Sequence, residues 1–130
     1  MIVVDTSAWI EFLRGTGSPA HHALVAAVTD GVPLGVPSPV LMELLAGARP
    51  ERRNAVRRML AHGTALPTAA PYDYETAADL YQACRAAGET PRSLVDCLVA
   101  AVALRHDAPV LHADRDYDVL TRHTPLTVRW

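Results

Sequence analysis

The sequence predicts an α/β fold built around a parallel sheet, and three features of the chain indicate this class. Residues 2–4 and 109–111 are continuous apolar runs without polar alternation, which is typical of strands buried on both faces. The segments between these runs carry apolar residues at helical spacing and end at glycines or charged turns. Because the predicted strands alternate with helices, their connections are crossovers and the sheet is parallel.

Start and stop residues locate the individual elements. Thr6 or Ser7 is expected to cap a first helix, and a Ser-Pro pair begins a second one, in which Leu24, Val25 and Val28 are expected to form the buried stripe. Further helices are predicted over residues 40–48, 51–62, 73–87 and 93–106. Further strands are predicted over residues 34–36, 64–66 and 126–129.

Length and composition limit the kind of protein that this chain forms. Its 130 residues, of which 50% are hydrophobic, suffice for one core, so we expect a single domain over residues 1–130. No apolar run approaches the roughly 18 residues of a membrane span, and Met1 is not followed by a basic leader, so we expect a cytoplasmic protein with no membrane partner. Cys84 and Cys97 lack CxxC spacing and are expected to be reduced, buried thiols. The net charge of −2 excludes a uniformly basic body that holds nucleic acid.

Two aspartates follow the predicted buried strands. Asp5 comes directly after the first strand, and Asp114 comes shortly after the strand at residues 109–111. In an open parallel sheet, ligands bind outside the carboxyl ends of the strands, at the point where the strand order reverses. If these two strands are neighbours, both carboxylates face one crevice. The alternative is that both residues are ordinary helix caps or turn formers.

Two further acids are isolated charges within apolar helices. Glu43 is the only charge in the segment VLMELLA, and Asp96 is the only charge in LVDCLVAAV. A buried carboxylate needs a partner, and an acid in the first turn of a helix gains a little from the helix dipole. The alternatives are a salt bridge to an arginine or exposure on the one solvated stripe of each helix.

The four acids considered together predict a metal site. Carboxylates that converge to about 4 Å repel each other by ~4 kcal/mol per pair at an effective dielectric constant near 20. Such a cluster persists at neutral pH only with a bound cation or with raised pKa values. Ligand sets made of oxygen alone select Mg²⁺ or Mn²⁺ over zinc, and the six histidines show no compact metal-ligand spacing.

Four segments of the chain resemble a known family. The order of these segments is the one seen in PIN-domain proteins: MIVVDTSAWIEFL, PVLMELLAGA, SLVDCLVAAVAL and VLHADRDYDVL. The compact form of the chain is similar to the VapC toxins of type II toxin–antitoxin pairs. The resemblance implies a three-layer α/β/α sandwich around a short parallel sheet, with the acids collected at one end of it.

The resemblance also implies roles for individual residues. The catalytic acids would be Asp5, Glu43, Asp96 and Asp114. The metal ligands would be Asp5, Asp96, Asp114 and Asp116, whereas Asp118 would lie further along the turn. Of the supporting residues Thr6 and Ser7, one would bond an aspartate and the other would cap the helix.

The activity implied by the resemblance is a Mg²⁺- or Mn²⁺-dependent endoribonuclease that leaves 5′-phosphate and 3′-hydroxyl ends. Three alternatives remain: a PIN-fold nuclease outside toxin–antitoxin systems, a DNA nuclease or phosphatase with the same carboxylate chemistry, and a non-catalytic binding module. Arg53 and Arg57, on the arginine-rich helix at residues 51–62, are candidates for RNA contacts. The alternative for this helix is a solvated charged face.

The partners implied by the resemblance are a cognate VapB-like antitoxin and a second copy of the chain. The antitoxin of such a pair wraps its C-terminal segment around the toxin. An apolar groove beside the acids would receive this segment, and the candidate lining residues are Trp9, Phe12, Leu13, Leu41 and Leu45. An arginine or lysine of the inhibitor would enter the carboxylate cluster and displace the metal.

Overall fold

The computed structural model describes residues 1–129 and contains a parallel sheet of four strands in this range. The strands are β1 (Ile2–Val4), β2 (Leu34–Pro37), β3 (Thr64–Leu66) and β4 (Val110–Leu111). Their order across the sheet is β3-β2-β1-β4, and each neighbouring pair is parallel. The chain therefore adds strands on one side of β1 and then returns to its other side, so the strand order reverses between β1 and β4.

Seven α-helices flank this sheet in the described residues. They are α1 (Thr6–Arg14), α2 (Pro19–Thr29), α3 (Ser38–Gly47), α4 (Arg53–Leu60), α5 (Tyr72–Ala86), α6 (Leu94–Arg105) and α7 (Arg115–His123). A single 3₁₀ turn, Pro50–Arg52, precedes α4. All three residues of β1 are buried, because helices cover both faces of the sheet. The result is the predicted three-layer α/β/α sandwich, and none of the helices in residues 1–129 is long and apolar enough to cross a membrane.

The most deeply buried helix is α6, as its apolar sequence predicts. Cys97 and the residues from Val99 to Ala103 are all buried, and α6 packs closely against α5. Cys84 and Cys97 are both fully buried free thiols, as predicted. Burial raises the pKa of Cys97 to about 12, so this thiol stays protonated and unreactive at neutral pH.

Two local predictions, the cap of α1 and the buried stripe of α2, are wrong. The cap of α1 is Asp5, not Thr6 or Ser7, because the Asp5 side chain accepts a hydrogen bond from the Ser7 N–H. In α2 only Leu24 of the predicted stripe is buried, whereas Val25 and Val28 are 42% and 54% exposed. Ala20 and Ala27 face the core together with Leu24 instead.

The C-terminal region also differs from the prediction. The acidic stretch after β4 was not predicted to be helical, but it forms α7. Tyr117 and Leu120, three residues apart, form the buried stripe of this helix. The strand predicted over residues 126–129 is reduced to one bridge, between Val128 and Val110. The reason is the short length of β4, which leaves little edge for another strand to pair with.

A buried ion pair ties the start of α5 to the end of α6. Asp73 is fully buried, and its two carboxylate oxygens accept hydrogen bonds from Nε and Nη2 of Arg105, each at 2.9 Å. The Ala69 N–H donates to the same carboxylate at 2.7 Å. Burial by itself raises the pKa of Asp73, but the hydrogen bonds from Arg105 and Ala69 outweigh it, so the pKa lies below its usual value.

We predict that Asp73→Ala lowers the free energy of unfolding by about 3 kcal/mol, because it leaves Arg105 without its counter-ion. Chemical denaturation followed by circular dichroism measures this change. A folded pKa below the unfolded pKa gives stability that is present above about pH 3.9 and is lost as the pH falls through the folded value. The variant should therefore lose part of the acid sensitivity of the parent protein. Glu89→Gln, at the exposed pair with Arg122, is the matched control and should change stability little. Equal effects of the two substitutions would contradict this prediction.

Candidate active site

The carboxyl ends of β1 and β4 form the centre of the site. Val3 pairs with Val110 and Val4 pairs with Leu111, so the strands end side by side. The Asp5 N–H continues this ladder by donating to the Leu111 carbonyl at 2.9 Å. The two strands are therefore neighbours at the reversal of strand order, which is the condition under which Asp5 and Asp114 were expected to face one crevice.

Three carboxylates meet at this end of the sheet. Asp96 lies in the first turn of α6, Asp114 caps α7 and Asp116 lies in the first turn of α7. One ligand oxygen from each of them lies within 4.8 Å of the others. Asp96 and Asp116 are buried and Asp114 is partly exposed, so the group opens to solvent on the Asp114 side.

Asp5 stands beside this group and is held by its own hydrogen bonds. Its Oδ1 accepts a bond of 2.6 Å from the hydroxyl of Tyr117, and its Oδ2 accepts bonds from the N–H and the hydroxyl of Ser7. The Ser7 hydroxyl also accepts a hydrogen bond from the Ala113 N–H in the segment that follows β4. One serine thus joins the carboxyl ends of both central strands.

Glu43 projects from α3 and is bound from α1. The Thr6 hydroxyl donates to Glu43 Oε1 at 2.8 Å. Thr6 and Ser7 therefore each orient a carboxylate, Glu43 and Asp5 respectively, and neither of them caps the helix.

The electrostatics of the site are dominated by Asp96. Burial, followed by the charges of Asp5, Asp114 and Asp116, raises the pKa of Asp96 to about 8. The pKa of Tyr117 is also raised well above its usual value, by burial and then by the charge of Asp5, so the phenol stays protonated and remains a hydrogen-bond donor. Burial and the neighbouring carboxylates therefore both oppose ionisation of Asp96.

Two residues of the site were missed in the sequence. Tyr117 fixes Asp5, and Arg92 contacts both Asp114 and Asp116. The only sequence signal for Tyr117 was its place three residues after Asp114. Arg92 lies in the segment before α6 and gives no signal, because an arginine near a helix start is common on protein surfaces.

The Asp116 carboxylate also binds backbone N–H groups in the segment that precedes α6. Its Oδ2 accepts from the backbone N–H groups of Arg92 and Ser93, at 2.8 and 2.9 Å. Asp116 thereby fixes the start of α6, where the Ser93 side chain caps the helix that carries Asp96. Asp118, in contrast, is half exposed and lies 3.8 Å from the ring of His112, outside the three-carboxylate group.

The donor set fits a divalent cation of the Mg²⁺ type. The three clustered groups are all carboxylates, and hard cations prefer such oxygen ligands. All the hydrogen bonds of the Asp114 carboxylate within residues 1–129 fall on Oδ1, so Oδ2 is available to an ion. Burial and then the charges of the neighbouring carboxylates raise the pKa of Asp96, and a bound cation would compensate the charges.

The candidate RNA contacts lie apart from the cluster. Arg53 and Arg57 are both exposed on α4, and Arg57 donates to Asn54 at 3.4 Å. A groove of about 800 Å³ separates α4 from α1 and contains Glu43 in its lining. Its basic lining residues are Arg14, Arg49 and Arg52.

Comparisons with known proteins agree with this architecture. Residues 2–122 match the PIN domain family. The chain is 40% identical over 128 residues to "Ribonuclease VapC11" of Mycobacterium tuberculosis and to "VapC ribonuclease Mb1587" of Mycobacterium bovis, covering 97% of this chain and 96% of each relative. Among solved structures, VapBC2 from Rickettsia felis is similar in fold, with a TM-score of 0.78 and 16% identity, covering 100% of this chain and 99% of that chain.

We predict that Asp96 makes stability depend on pH. Between about 3.9, the pKa of an unfolded aspartate, and about 8, the folded protein holds a proton that the unfolded chain has lost. This proton on Asp96 contributes its full stabilisation to the folded protein below about pH 3.9. The contribution declines as the pH rises towards 8, by up to about 1.4 kcal/mol per pH unit.

Asp96→Asn removes this titration and should give a flatter profile, with the largest gain over the parent near pH 8. Urea denaturation at several pH values measures both curves. Mn²⁺ should stabilise the parent protein at pH 8 and leave the variant nearly unchanged. Parallel pH profiles for the two proteins would show that Asp96 is not the titrating group.

Proposed function

This chain belongs to the VapC ribonucleases of the PIN-domain family, and we propose that it is a divalent-metal-dependent endoribonuclease that acts as the toxin of a toxin–antitoxin pair. The observation that carries the proposal is the group of three carboxylates within 4.8 Å of one another at the reversal of strand order. Asp5 and Glu43 complete this acidic site from α1 and α3. A binding module without catalysis would have no need to maintain such repulsion, and the chain retains all four of the acids in question.

The reaction assigned to the site is hydrolysis of a phosphodiester bond. Asp96, Asp114 and Asp116, with Asp5 beside them, would hold Mg²⁺ or Mn²⁺, which when bound would supply a water of lowered pKa and compensate charge on the phosphate. Tyr117 and Ser7 keep the Asp5 carboxylate oriented, because both donate hydrogen bonds to its oxygens. In residues 1–129 the hydrogen bond of the Glu43 carboxylate falls on Oε1, so we assign Oε2 as the acceptor of a proton from the attacking water.

The groove beside Glu43 offers both charge and apolar surface to a partner. Its walls include Ile10, Leu13 and Leu44 together with three arginines, so it suits a chain that is partly apolar and partly acidic. We propose that the C-terminal segment of a VapB-like antitoxin occupies this groove and reaches the carboxylates with a basic side chain. Of the expected lining residues, Leu13 lies in this groove, whereas Trp9 and Phe12 line a separate cavity of about 490 Å³ beside β2.

A second copy of the chain is also proposed as a partner. Met42 on α3 and Leu94 on α6 are 58% and 61% exposed, and these two helices pack against each other. Large apolar side chains at such exposure, on adjoining elements, indicate a surface that another protein covers. Dimerisation through α3 and α6 would bring two acidic sites onto one particle.

We predict that the purified protein cleaves RNA in the presence of Mg²⁺ or Mn²⁺ and is inactive with EDTA. Asp96→Asn and Asp5→Asn should each reduce cleavage by at least about 100-fold, because each removes a charge that faces the metal. Gel analysis of end-labelled RNA, single-stranded DNA and a phosphomonoester measures this. Asp118→Asn, outside the three-carboxylate group, is the matched control.

Each alternative activity gives a different result in this assay. Cleavage of DNA alone would make the protein a DNA nuclease, and release of phosphate alone would make it a phosphatase.

The double change Arg53→Ala and Arg57→Ala should weaken RNA binding and reduce its salt dependence by about two phosphate contacts, with metal affinity unchanged. An unchanged salt slope would return these arginines to the solvated surface.

We predict that production of the chain alone arrests growth of a bacterial host and that a small antitoxin encoded beside it restores growth. Leu13→Ala should weaken this rescue without reducing RNA cleavage, because it removes apolar surface from the groove and leaves Glu43 and the carboxylate cluster unchanged. Growth counts and pull-down of the tagged chain measure rescue and binding. Harmless production of a chain that cleaves RNA in vitro would disprove the toxin role and leave the nuclease.

A further inference from the structure

Arg92 is the basic side chain that the described residues place against the carboxylate cluster. Its Nη2 donates to Asp114 Oδ1 at 3.1 Å, and its Nε donates to Asp116 Oδ1 at 3.3 Å. The side chain is nevertheless 63% exposed, so it lies at the open rim of the site and not beneath it. Within residues 1–129 no other arginine forms an ion pair with Asp96, Asp114 or Asp116.

The guanidinium is not required to hold its own segment in place. The backbone N–H groups of Arg92 and Ser93 already bind Asp116 Oδ2, and the Ser93 hydroxyl caps α6. These three bonds involve the main chain and a different side chain, so they persist when the Arg92 side chain is replaced. The position of the guanidinium therefore needs another explanation.

The unused donors of Arg92 indicate what that explanation is. A guanidinium carries five N–H groups in a planar fork, and the two ion pairs here engage one on Nε and one on Nη2. The remaining donors, including both on Nη1, are available at the rim. Arginine in this planar form is suited to paired contacts with phosphate oxygens.

We propose that Arg92 binds the phosphate that is cleaved, while its two ion pairs with Asp114 and Asp116 fix the direction of the fork. This inference rests on the proposed nuclease function and adds a cationic residue to a site otherwise described by acids. Negative charge that develops on the phosphate oxygens during cleavage would be met by a donor that is already oriented, which is the condition under which such donors accelerate a reaction. In this proposal the carboxylates of Asp114 and Asp116 both hold the metal and orient the Arg92 guanidinium.

The proposal separates two effects of removing the side chain. Loss of a phosphate donor slows the reaction, whereas loss of a positive charge beside Asp114 and Asp116 strengthens their attraction for a cation. A residue that merely positioned the carboxylates would instead weaken metal binding when removed. Cleavage and metal affinity should therefore change in opposite directions.

The test compares Arg92→Gln, Arg92→Lys and the control Arg122→Gln, which removes an arginine that pairs with Glu89 away from the cluster. RNA cleavage gives kcat and KM, calorimetric titration with Mn²⁺ without RNA gives metal affinity, and thermal denaturation verifies folding. We expect Arg92→Gln to lower kcat by about 100-fold, with Mn²⁺ affinity equal to or several-fold above that of the parent. Arg92→Lys should recover part of kcat, because it restores the charge without the fork, and Arg122→Gln should resemble the parent.

Each other outcome overturns the proposal. Cleavage by Arg92→Gln at the rate of Arg122→Gln would show that the fork does not contact the reacting phosphate. A fall in Mn²⁺ affinity that accounts for the loss of cleavage would make Arg92 a positioning residue only, and a rise in KM with kcat unchanged would place it on a flanking phosphate. Failure of the parent protein to cleave RNA would instead reject the nuclease function, and the Mn²⁺ titrations distinguish that case by still reporting the parent metal site.

Discussion

The convergence of carboxylates at the ends of β1 and β4 is the constraint on which the rest of the structure depends. Carboxylates at this separation repel each other, and the pKa of Asp96 is raised first by burial and then by this repulsion. The surrounding residues answer it with donors: Tyr117 and Ser7 bind Asp5, Arg92 spans Asp114 and Asp116, and backbone N–H groups at the start of α6 bind Asp116. These contacts hold the acids in place, and they leave a deficit of positive charge that a divalent ion can satisfy.

Holding these carboxylates together lowers the stability of the site, and packing elsewhere in the fold compensates for that loss. α6 must bring Asp96 into the interior, and its remaining buried residues are apolar and pack against α5. The ion pair of Asp73 with Arg105 joins the beginning of α5 to the end of α6, away from the carboxylate cluster. Here each charged group has a full set of partners, so the pair supports ionisation of Asp73, whereas Asp96 is held in a setting that opposes its ionisation. Such a division between a stable scaffold and a strained site is common in enzymes.

The sequence predicted the framework well because local signals coincide with the global fold. The apolar runs at residues 2–4 and 109–111 became parallel neighbours, and the helix over residues 93–106 became the buried α6. Asp5 and Asp114 could be located at strand ends because a charge stops a buried strand. Predictions that depended on which face of an element is buried were less successful. Val25 and Val28 look like core residues but face solvent, because α2 turns the face with Ala20, Leu24 and Ala27 towards the core.

The sequence by itself therefore determined the fold class, the order of the elements and the identity of the candidate acids, since all three follow from periodicity and from isolated charges in apolar surroundings. Only the tertiary structure decided how those acids are held. Tyr117 lies 112 residues from Asp5 and Arg92 lies 22 residues from Asp114, and no spacing rule connects such pairs. The grouping of Asp96, Asp114 and Asp116 also depends on α6 and α7 beginning at the same end of the sheet. Contacts of this kind arise when helices pack on the sheet, so the raised pKa of Asp96 and the orientation of Arg92 are properties of the assembled fold.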